Sequence, residues 1–220
     1  MTGKMKNISK KVVIFGIGDL ARVAKFYFRH DSDLEVVAFA LDREYIKEDS
    51  FDGLPVVAFE EVEKHYPPSD FSMYVGIGYS NFNQNREEKY FAAKEKGYSF
   101  ITYVNSKTTQ WGDTEIGENT FILEDVTIQP FVKIGNNCVI WSGNHIGHDS
   151  HIADHCFLTS HVVISGNCRI GKNCFLGVNA TIRDGIKVAD KCIIGAGTLI
   201  LKDTETGSVY KGTATEPKKS

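Results

Sequence analysis

A histidine, an aspartate and a glycine in the second half of the chain have the types and spacing expected for general base catalysis. His148 and Asp149 are adjacent, and Gly166 follows His148 by 18 residues. A histidine can accept the proton of an attacking amine or hydroxyl, and a neighbouring carboxylate can orient its imidazole and stabilise the protonated form. Aspartate is also a common turn residue, so spacing alone leaves both roles of Asp149 open.

The interval of 18 residues has structural meaning because this part of the chain repeats every six residues. Aliphatic side chains recur at that spacing without a gap, at Ile116, Ile122, Ile128, Ile134, Ile140, Ile146, Ile152, Leu158, Ile164, Ile170, Leu176, Ile182, Val188, Ile194 and Ile200. A period of six fits neither a helix nor a flat strand, and it predicts short strands joined by corners. Three strands and three corners make one 18-residue coil, so the repeat predicts five coils of an all-β parallel β-helix.

Two other positions of the repeat support a β-helix. Small or branched residues precede the aliphatics by two, where strand alternation points them inward. All five cysteines lie there, and we expect buried small hydrophobes rather than disulfide, zinc or nucleophile sites: Cys138, Cys156, Cys168, Cys174 and Cys192. Turn-forming residues follow most aliphatics by three: Asn119, Asp125, Asn137, Gly143, Asp149, Asn167, Asn173, Asn179, Gly185, Gly197 and Asp203.

The register separates the clustered histidines. His145 and His151 directly precede an inward aliphatic and are predicted to point outward. His148 lies on a corner, and Gly166 occupies the same corner one coil later, so a side chain beside bare backbone would leave a slot. No two histidines are five residues apart, the ligand spacing of β-helical zinc hydratases resembling γ-class carbonic anhydrases, so we expect no metal. Asn144 is polar at an inward position and needs a hydrogen bond if it is buried.

The first half of the chain has the pattern of an α/β nucleotide-binding unit. A buried strand ends in Gly16, Ile17 and Gly18, a helix follows, and a second strand ends at Asp42. Such glycines let the backbone approach a phosphate, and an acid after the second strand can bind a ribose or base. Ala21 stands in the place of the third glycine. A tight turn without a ligand needs the same glycines, so this motif leaves both interpretations open.

Strands and helices are predicted to alternate up to residue 106. LPVVAF, SMYVGIG and FITYV are expected to be further strands, which gives about five strands in an open parallel sheet. The predicted organisation is a flexible leader (1–10), a Rossmann-like nucleotide-sugar-binding domain (11–106) and a β-helix with a C-terminal cap (107–220). A mobile basic tail is expected after the cap.

Composition limits the classes of partner. Of the 220 residues, 42% are hydrophobic and 24% are charged, as in ordinary globular proteins. A formal net charge of −3 gives no reason to expect a nucleic-acid partner. The apolar runs are too short to span a bilayer, and the N-terminus shows no signal-peptide pattern. We therefore expect a cytoplasmic protein with neither a membrane nor a nucleic-acid partner.

Several segments occur together in one known family. They are IFGIGDLA, ALD, VGIG followed by a helix with Asn and Arg, and the coils that contain GHDSHIADHCFLTSHVVISG. Their combination resembles the sialic acid O-acetyltransferase-like family of left-handed β-helix sugar acyltransferases, from about Val12 to the C-terminal cap. The resemblance implies a homotrimer that transfers an acetyl group from acetyl-CoA to the amine of a nucleotide-linked 4-amino-dideoxy sugar, for surface glycan (polysaccharide) biosynthesis.

The resemblance also implies roles for individual residues of the β-helix. His148 matches the general base and Asp149 its neighbouring acid, and the Gly166 N–H matches the donor to the thioester carbonyl. Val178 and Ala196 match positions that contact coenzyme A in the cleft between neighbouring prisms of the trimer.

The N-terminal residues receive roles from the same resemblance. Gly16 and Gly18 would hold the diphosphate of the nucleotide sugar, and Asp42 would bind the nucleoside with help from Arg43. Family members often carry Asn seven residues before the base, where this chain has Trp141, which could form an aromatic platform for the acceptor sugar. Two alternatives stay open: O-acetylation of a sugar such as sialic acid, and a non-catalytic trimeric scaffold that binds nucleotide sugar.

Overall fold

The computed structural model describes residues 9–212. Most of the predicted flexible leader, residues 1–8, lies outside the described residues, and so does the predicted basic tail from residue 213 onward. Within residues 9–212, no helix combines the length and the apolar character needed to cross a bilayer.

The N-terminal part is an open sheet with helices on both faces. Its elements are β1 (Lys11–Phe15), α1 (Asp19–Asp31), β2 (Glu35–Leu41), β3 (Ser50–Phe51), β4 (Leu54–Ala58), α2 (Val62–His65), β5 (Ser72–Val75) and α3 (Gln84–Glu95). The strand order is β3-β4-β2-β1-β5, and the pairs are parallel except for the β3–β4 hairpin at one edge. The order reverses between β1 and β5, so a crevice opens at the carboxyl ends of these two strands.

The segment FITYV does not form the predicted last strand of this sheet. Tyr103–Val104 (β6) pairs instead with Phe121–Ile122 (β8), and the Tyr103 N–H donates to the Thr120 carbonyl at 2.9 Å. An isolated bridge between Met73 and Phe100 links the segment to β5. The strand prediction was correct in type and wrong in partner, because two-residue strands are claimed by whichever ladder their backbone meets. The boundary near residue 106 stays a prediction.

The second part is a triangular prism of two-residue parallel strands. The first wall contains β6 (Tyr103–Val104), β8 (Phe121–Ile122), β11 (Val139–Ile140), β14 (Phe157–Leu158), β17 (Phe175–Leu176), β20 (Ile193–Ile194) and β22 (Val209–Tyr210). The second wall contains β9 (Thr127–Ile128), β12 (His145–Ile146), β15 (Val163–Ile164), β18 (Thr181–Ile182) and β21 (Leu199–Ile200). The third wall contains β7 (Glu115–Ile116), β10 (Lys133–Ile134), β13 (His151–Ile152), β16 (Arg169–Ile170) and β19 (Lys187–Val188).

The prism confirms the sixfold register. Each predicted aliphatic from Ile116 to Ile200 is the second residue of a strand, and within a wall each strand pairs with the strand 18 residues later, as Ile134 does with Ile152. These side chains and the five cysteines form one buried cluster, and the cysteines are free thiols. Parallel walls of repeated strands with an 18-residue coil are the architecture of a left-handed β-helix of hexapeptide repeats.

The corners also follow the predicted phase. Each corner position from Asn119 to Gly197 has a left-handed backbone, with φ between 54° and 73°. Four of these positions carry residue types that do not favour this conformation, so the coil imposes it: Phe131, His155, His161 and Lys191. Asp203, which was expected to continue the series, is not among the left-handed residues.

The three walls differ in the residues that they turn outward. The first wall presents Phe121, Val139, Phe157, Phe175 and Ile193, the second Thr127, His145, Val163, Thr181 and Leu199, and the third Glu115, Lys133, His151, Arg169 and Lys187. The N-terminal part covers the first wall, where the Phe121 ring lies 5.5 Å from Tyr74 and 5.9 Å from Phe28 between centroids. The second and third walls are free of the N-terminal part, and His145 and His151 point outward as predicted.

Candidate active site

His148 lies on the corner between the second and third walls, with 52% of its side chain exposed. Its Nδ1 is 2.9 Å from Asp149 Oδ2. Because a carboxylate only accepts hydrogen bonds, Nδ1 carries the proton of the neutral ring and Nε2 is left with a free lone pair. This is the tautomer that a general base requires.

Gly166 lies against the face of this imidazole, one coil later. A Cβ built on Gly166 would be 2.6 Å from His148 Nε2 and 2.8 Å from His148 Cε1, which is closer than van der Waals contact allows. Any side chain here would therefore displace the imidazole. Within residues 9–212 the Gly166 N–H donates to no acceptor, so it is available to a bound oxyanion.

The backbone of the His148 corner is held by both neighbouring coils. The His148 N–H donates to Gln129 Oε1 at 2.8 Å, and its carbonyl accepts from the Asn167 N–H at 2.8 Å. The Asp149 carbonyl accepts from the Arg169 guanidinium at 2.5 Å. Asp149 has a φ of 57°, so it occupies the left-handed turn position and contacts the imidazole at the same time. The two roles left open by the sequence are structurally compatible.

A second group of predicted residues surrounds the crevice at the carboxyl ends of β1 and β5. Gly16 has a φ of +110°, and a Cβ on it would be 2.8 Å from the Ile77 side chain, so this position requires glycine. Its N–H donates to the Ala40 carbonyl at 2.8 Å. Gly18 precedes α1 in extended conformation, with open space where a side chain would be. The first N–H groups of α1 have no acceptor inside the helix and can bind an anion.

A second glycine turn, formed by residues 76–78, completes this crevice. It follows β5 with the same Gly-Ile-Gly sequence that follows β1, and its Gly76 carbonyl would be 3.0 Å from a Cβ on Gly16. Sequence reasoning gave no site role to this turn. The repetition of Gly-Ile-Gly after two buried strands was the signal that could have indicated that they are neighbours.

Asp42 and Arg43 lie at the end of β2 but face different surroundings. The Asp42 carboxylate is 2.6 Å from Lys89 Nζ, and the two line a cavity of about 500 Å³ with Phe15, Leu41, Glu44, Tyr45, Ile77, Asn85 and Glu88. The Arg43 guanidinium pairs with Glu61, and its N–H lies 3.2 Å from the Glu60 carboxylate. Arg43 does not line the cavity. Lys89 on α3 was missed, because its neighbours in sequence form an ordinary charged helix surface.

The remaining predicted residues lie on a different corner from His148. Val178 and Ala196 are both exposed, one coil apart, at the corner between the first and second walls. Trp141 begins the same corner two coils earlier and packs against the apolar cluster of the first wall. In a single chain, these residues are therefore separated from His148 by the width of the second wall.

Asn144 is buried and finds partners within its own corner. Its Nδ2 donates to the Trp141 and Thr159 carbonyls, the latter at 2.9 Å, whereas its Oδ1 has no partner among the described residues. These bonds hold the corner backbone. Across residues 9–212, no group of three or more His, Cys, Asp or Glu side chains is arranged to hold a metal ion.

Comparison with known proteins matches the prism to a family description. Residues 113–147 and 133–166 match the bacterial transferase hexapeptide, six repeats, and residues 168–202 match the hexapeptide repeat of succinyl-transferase. A search of curated protein sequences finds no match. The prism therefore consists of hexapeptide repeats of the bacterial transferase type, which confirms that level of the resemblance.

Solved structures of similar fold cover nearly the whole chain. A His-to-Asn mutant of perosamine N-acetyltransferase from Caulobacter crescentus, in complex with CoA and GDP-perosamine, has a TM-score of 0.83 and 24% identity over 92% of this chain and 93% of that chain. The acetyltransferase domain of PglB from Neisseria gonorrhoeae has a TM-score of 0.83 and 20% identity over 95% of this chain and 100% of that chain. The same domain with acetyl coenzyme A gives 0.83 and 19%, over 95% of this chain and 99% of that chain. At these identities the likeness shows the fold.

Proposed function

We propose that this chain of bacterial transferase hexapeptide repeats is an acetyl-CoA-dependent N-acetyltransferase that acts on the amino group of a nucleotide-linked amino-dideoxy sugar. The observation that carries the proposal is the slot in which the His148 imidazole, oriented by Asp149, lies against Gly166. The similar C. crescentus structure holds CoA and GDP-perosamine, and a PglB structure holds acetyl coenzyme A, which supports these two classes of substrate.

The geometry supports a single transfer step without a covalent enzyme intermediate. The acceptor amine attacks the thioester carbonyl carbon while His148 Nε2 takes a proton from the amine. The carbonyl oxygen becomes an oxyanion and accepts from the Gly166 N–H, while Asp149 stabilises the imidazolium. The tetrahedral intermediate then expels the coenzyme A thiolate, which takes the proton from the imidazolium. The products are the N-acetyl sugar and free coenzyme A.

The crevice of the N-terminal part would hold the acceptor by its nucleotide. The two glycine turns bring bare backbone together, and the N-terminus of α1 offers N–H groups and a favourable dipole to the diphosphate. The cavity beside Asp42 and Lys89, about 500 Å³, has room for a nucleoside. These assignments rest on the glycine geometry and on the resemblance. Uracil, thymine and guanine are all compatible with them.

The topology of the prism requires a second chain to complete the site. The N-terminal part packs on the first wall, whereas His148 lies on the opposite corner, between the second and third walls. Val178 and Ala196 lie on yet another corner. An acceptor bound to the N-terminal part and coenzyme A bound along Val178 therefore reach a histidine of a neighbouring chain more readily than their own. We propose a cyclic homotrimer with one site at each subunit boundary.

The second wall has the surface expected of the subunit contact. It carries the exposed aliphatic side chains of Val163 and Leu199, which are 37% and 57% accessible, where the third wall carries charged residues. Aliphatic side chains in a line on a flat wall are suited to burial between prisms. A role in surface glycan biosynthesis in the cytoplasm remains a prediction from the resemblance.

A thiol-release assay with acetyl-CoA tests the activity. Purified protein is supplied with UDP-, dTDP- and GDP-linked 4-amino sugars, and separately with sialic acids, while free coenzyme A is followed. We expect turnover on one amino sugar, and a loss of about 10²-fold to 10⁴-fold in His148→Ala. Full turnover in that variant would exclude His148 as the base. Turnover on sialic acids alone would replace the proposal by O-acetylation, and nucleotide-sugar binding without turnover would favour a scaffold.

Mixing two inactive variants tests the shared site. Gly18→Asp is the second variant, because aspartate is a favoured residue before a helix and finds open space here, while its charge repels a diphosphate. His148→Ala and Gly18→Asp chains are refolded together at equal amounts. If each site combines two chains of a trimer, about a quarter of wild-type turnover returns. A mixture that stays inactive, with mixed trimers verified by native mass spectrometry, would show that the site belongs to one chain.

A further inference from the structure

Arg86, near the start of α3, is fully buried without a carboxylate partner among the described residues. Its guanidinium donates to uncharged oxygens: the carbonyls of Gly78 (2.9 Å), Asn137 (3.3 Å), His155 (3.0 Å) and Cys156 (3.2 Å), and Asn83 Oδ1 (3.0 Å). These five bonds use all the donors of the guanidinium. A positive charge is thus buried entirely among dipoles of the main chain and one amide.

Stability alone does not account for a charge in this position. Removing an ion from water costs several kcal/mol, and apolar replacements of buried charges are often neutral or stabilising. What a guanidinium offers and an apolar side chain lacks is a rigid fork that holds several acceptors in fixed relative positions. The identity of those acceptors therefore indicates what Arg86 does.

The acceptors of Arg86 lie on the two parts of the protein. Three carbonyls belong to consecutive coils at the corner between the third and first walls, and the fourth belongs to Gly78, the last residue of the second glycine turn. Asn83 extends the contact to the next coil by donating to the Cys174 carbonyl at 3.1 Å. The second glycine turn in turn lies against Gly16 of the first. Arg86 is thus a direct link between the prism and the crevice.

The connection between Gly78 and α3 is itself tightly constrained. Asn81, Phe82 and Asn83 are three successive residues with left-handed backbones, at φ of 51°, 51° and 62°. Tyr79 packs on the first wall, with its ring centroid 4.5 Å from that of Phe175. Such a segment keeps its shape only while its surroundings hold both ends. The guanidinium supplies one of these anchors, at the end nearest to the crevice.

We infer that Arg86 is a positioning residue that fixes the second glycine turn, and with it the diphosphate crevice, relative to the prism. The inference rests on the proposed function and adds a determinant of acceptor binding that does not touch the acceptor. Coenzyme A binds along the prism in the proposed mechanism, so its affinity does not depend on this link. The two substrates therefore respond differently to changes at Arg86.

The test compares Arg86→Lys with wild type. Lysine keeps the charge but has three donors on a flexible stem, so it cannot hold Gly78 and two coils together. Binding of UDP, dTDP and GDP is measured by calorimetry, with CoA as the second probe, and KM values follow for the substrate found in the activity assay. We expect the nucleoside diphosphate Kd and the sugar KM to rise about tenfold, while the CoA Kd stays within about twofold.

Asn173→Ala is the matched control. Its Nδ2 donates to Glu87 Oε2 on α3 at 2.8 Å, so its loss weakens the same domain contact without reaching the glycine turn. We expect this variant to melt earlier with an unchanged sugar KM. If Arg86→Lys also melts earlier with an unchanged sugar KM and diphosphate Kd, Arg86 is merely structural and the inference is wrong.

A second variant covers the case in which Arg86→Lys does not fold. Asn83→Gly removes the amide that Arg86 holds and keeps a residue that accepts a left-handed backbone. We expect a rise of about threefold in the sugar KM, and no rise would overturn the inference. Wild type that binds none of the three nucleoside diphosphates would refute the proposed function itself. Wild type that binds and turns over, with unaffected variants, would refute only the role of Arg86.

Discussion

Replacing Gly166 by alanine should remove most of the activity while the protein stays folded. The added Cβ would meet atoms of one residue, His148, at 2.6 Å from Nε2, 2.8 Å from Cε1 and 3.1 Å from Cδ2. The imidazole must therefore rotate out of the slot, which breaks its 2.9 Å contact with Asp149. Because the His148 side chain is half-exposed, it can move into solvent without disturbing the prism.

The size of both effects follows from the structure. Gly166 lies outside the left-handed region, so alanine is compatible with the backbone, and a change of glycine to alanine alters the free energy of unfolding by about 1 kcal/mol or less. The Gly166 N–H is retained in alanine, so the oxyanion donor remains. The loss is that of a positioned base, about 10²-fold to 10⁴-fold in kcat, which corresponds to about 3 to 5 kcal/mol of transition-state stabilisation.

The assay is thiol release under saturating acetyl-CoA, together with thermal unfolding of the same sample. A double-mutant cycle with His148→Ala identifies the path of the effect. If alanine acts through the imidazole, then adding Gly166→Ala to His148→Ala should lower kcat by less than about twofold. A single variant that keeps more than a third of wild-type kcat would refute the assignment of the slot. A further large loss in the double variant would show that the effect comes from the backbone instead.

Two other predictions concern stability. Burial lowers the pKa of His155, whose Nδ1 accepts from Asn137 Nδ2 at 2.8 Å, so the unfolded chain binds a proton at higher pH than the folded one. The stabilisation is complete above the ordinary histidine pKa of about 6.5 and is lost as pH falls below it. His155→Asn, which suits the left-handed corner, should flatten the fall in Tm between about pH 7.5 and 5.5, whereas the exposed His151→Asn should keep the wild-type slope; equal slopes in all three proteins would contradict this. Leu158→Ala, inside the prism at 0% exposure, should lower the free energy of unfolding by about 2 to 5 kcal/mol in urea titrations, and a loss below about 1 kcal/mol would show that the coil can collapse around the cavity.

The β-helix could be predicted closely because its local repeat and its tertiary contacts share one period. A residue in a wall pairs with the residue 18 positions later, as Lys133 does with His151, so the phase of one coil places the next. This is why the sequence alone located the buried cysteines and the contact between His148 and Gly166. The phase did not reveal that Phe131 and His155 take left-handed corners, since their residue types argue against it and the closed coil imposes it.

The N-terminal part was predictable in its elements and less so in its contacts. Alternating strands and helices, and the glycines after β1, follow from local composition. The strand Tyr103–Val104 was assigned to the wrong sheet, because a two-residue strand carries too little pattern to identify its partner. Lys89 was missed for a related reason: it meets Asp42 from 47 residues away, and its helix is charged throughout.

The sequence by itself determined the winding of the prism, the position of the imidazole beside a bare backbone and the glycine turn after β1, because each depends on residues related by a fixed spacing. Only the tertiary structure decided that the crevice faces the first wall while His148 lies on the opposite corner. It also decided that Arg86 joins the second glycine turn to the coils, through bonds that span up to 70 residues. Such contacts join two different periodicities, and neither one encodes where the surfaces of the two parts meet.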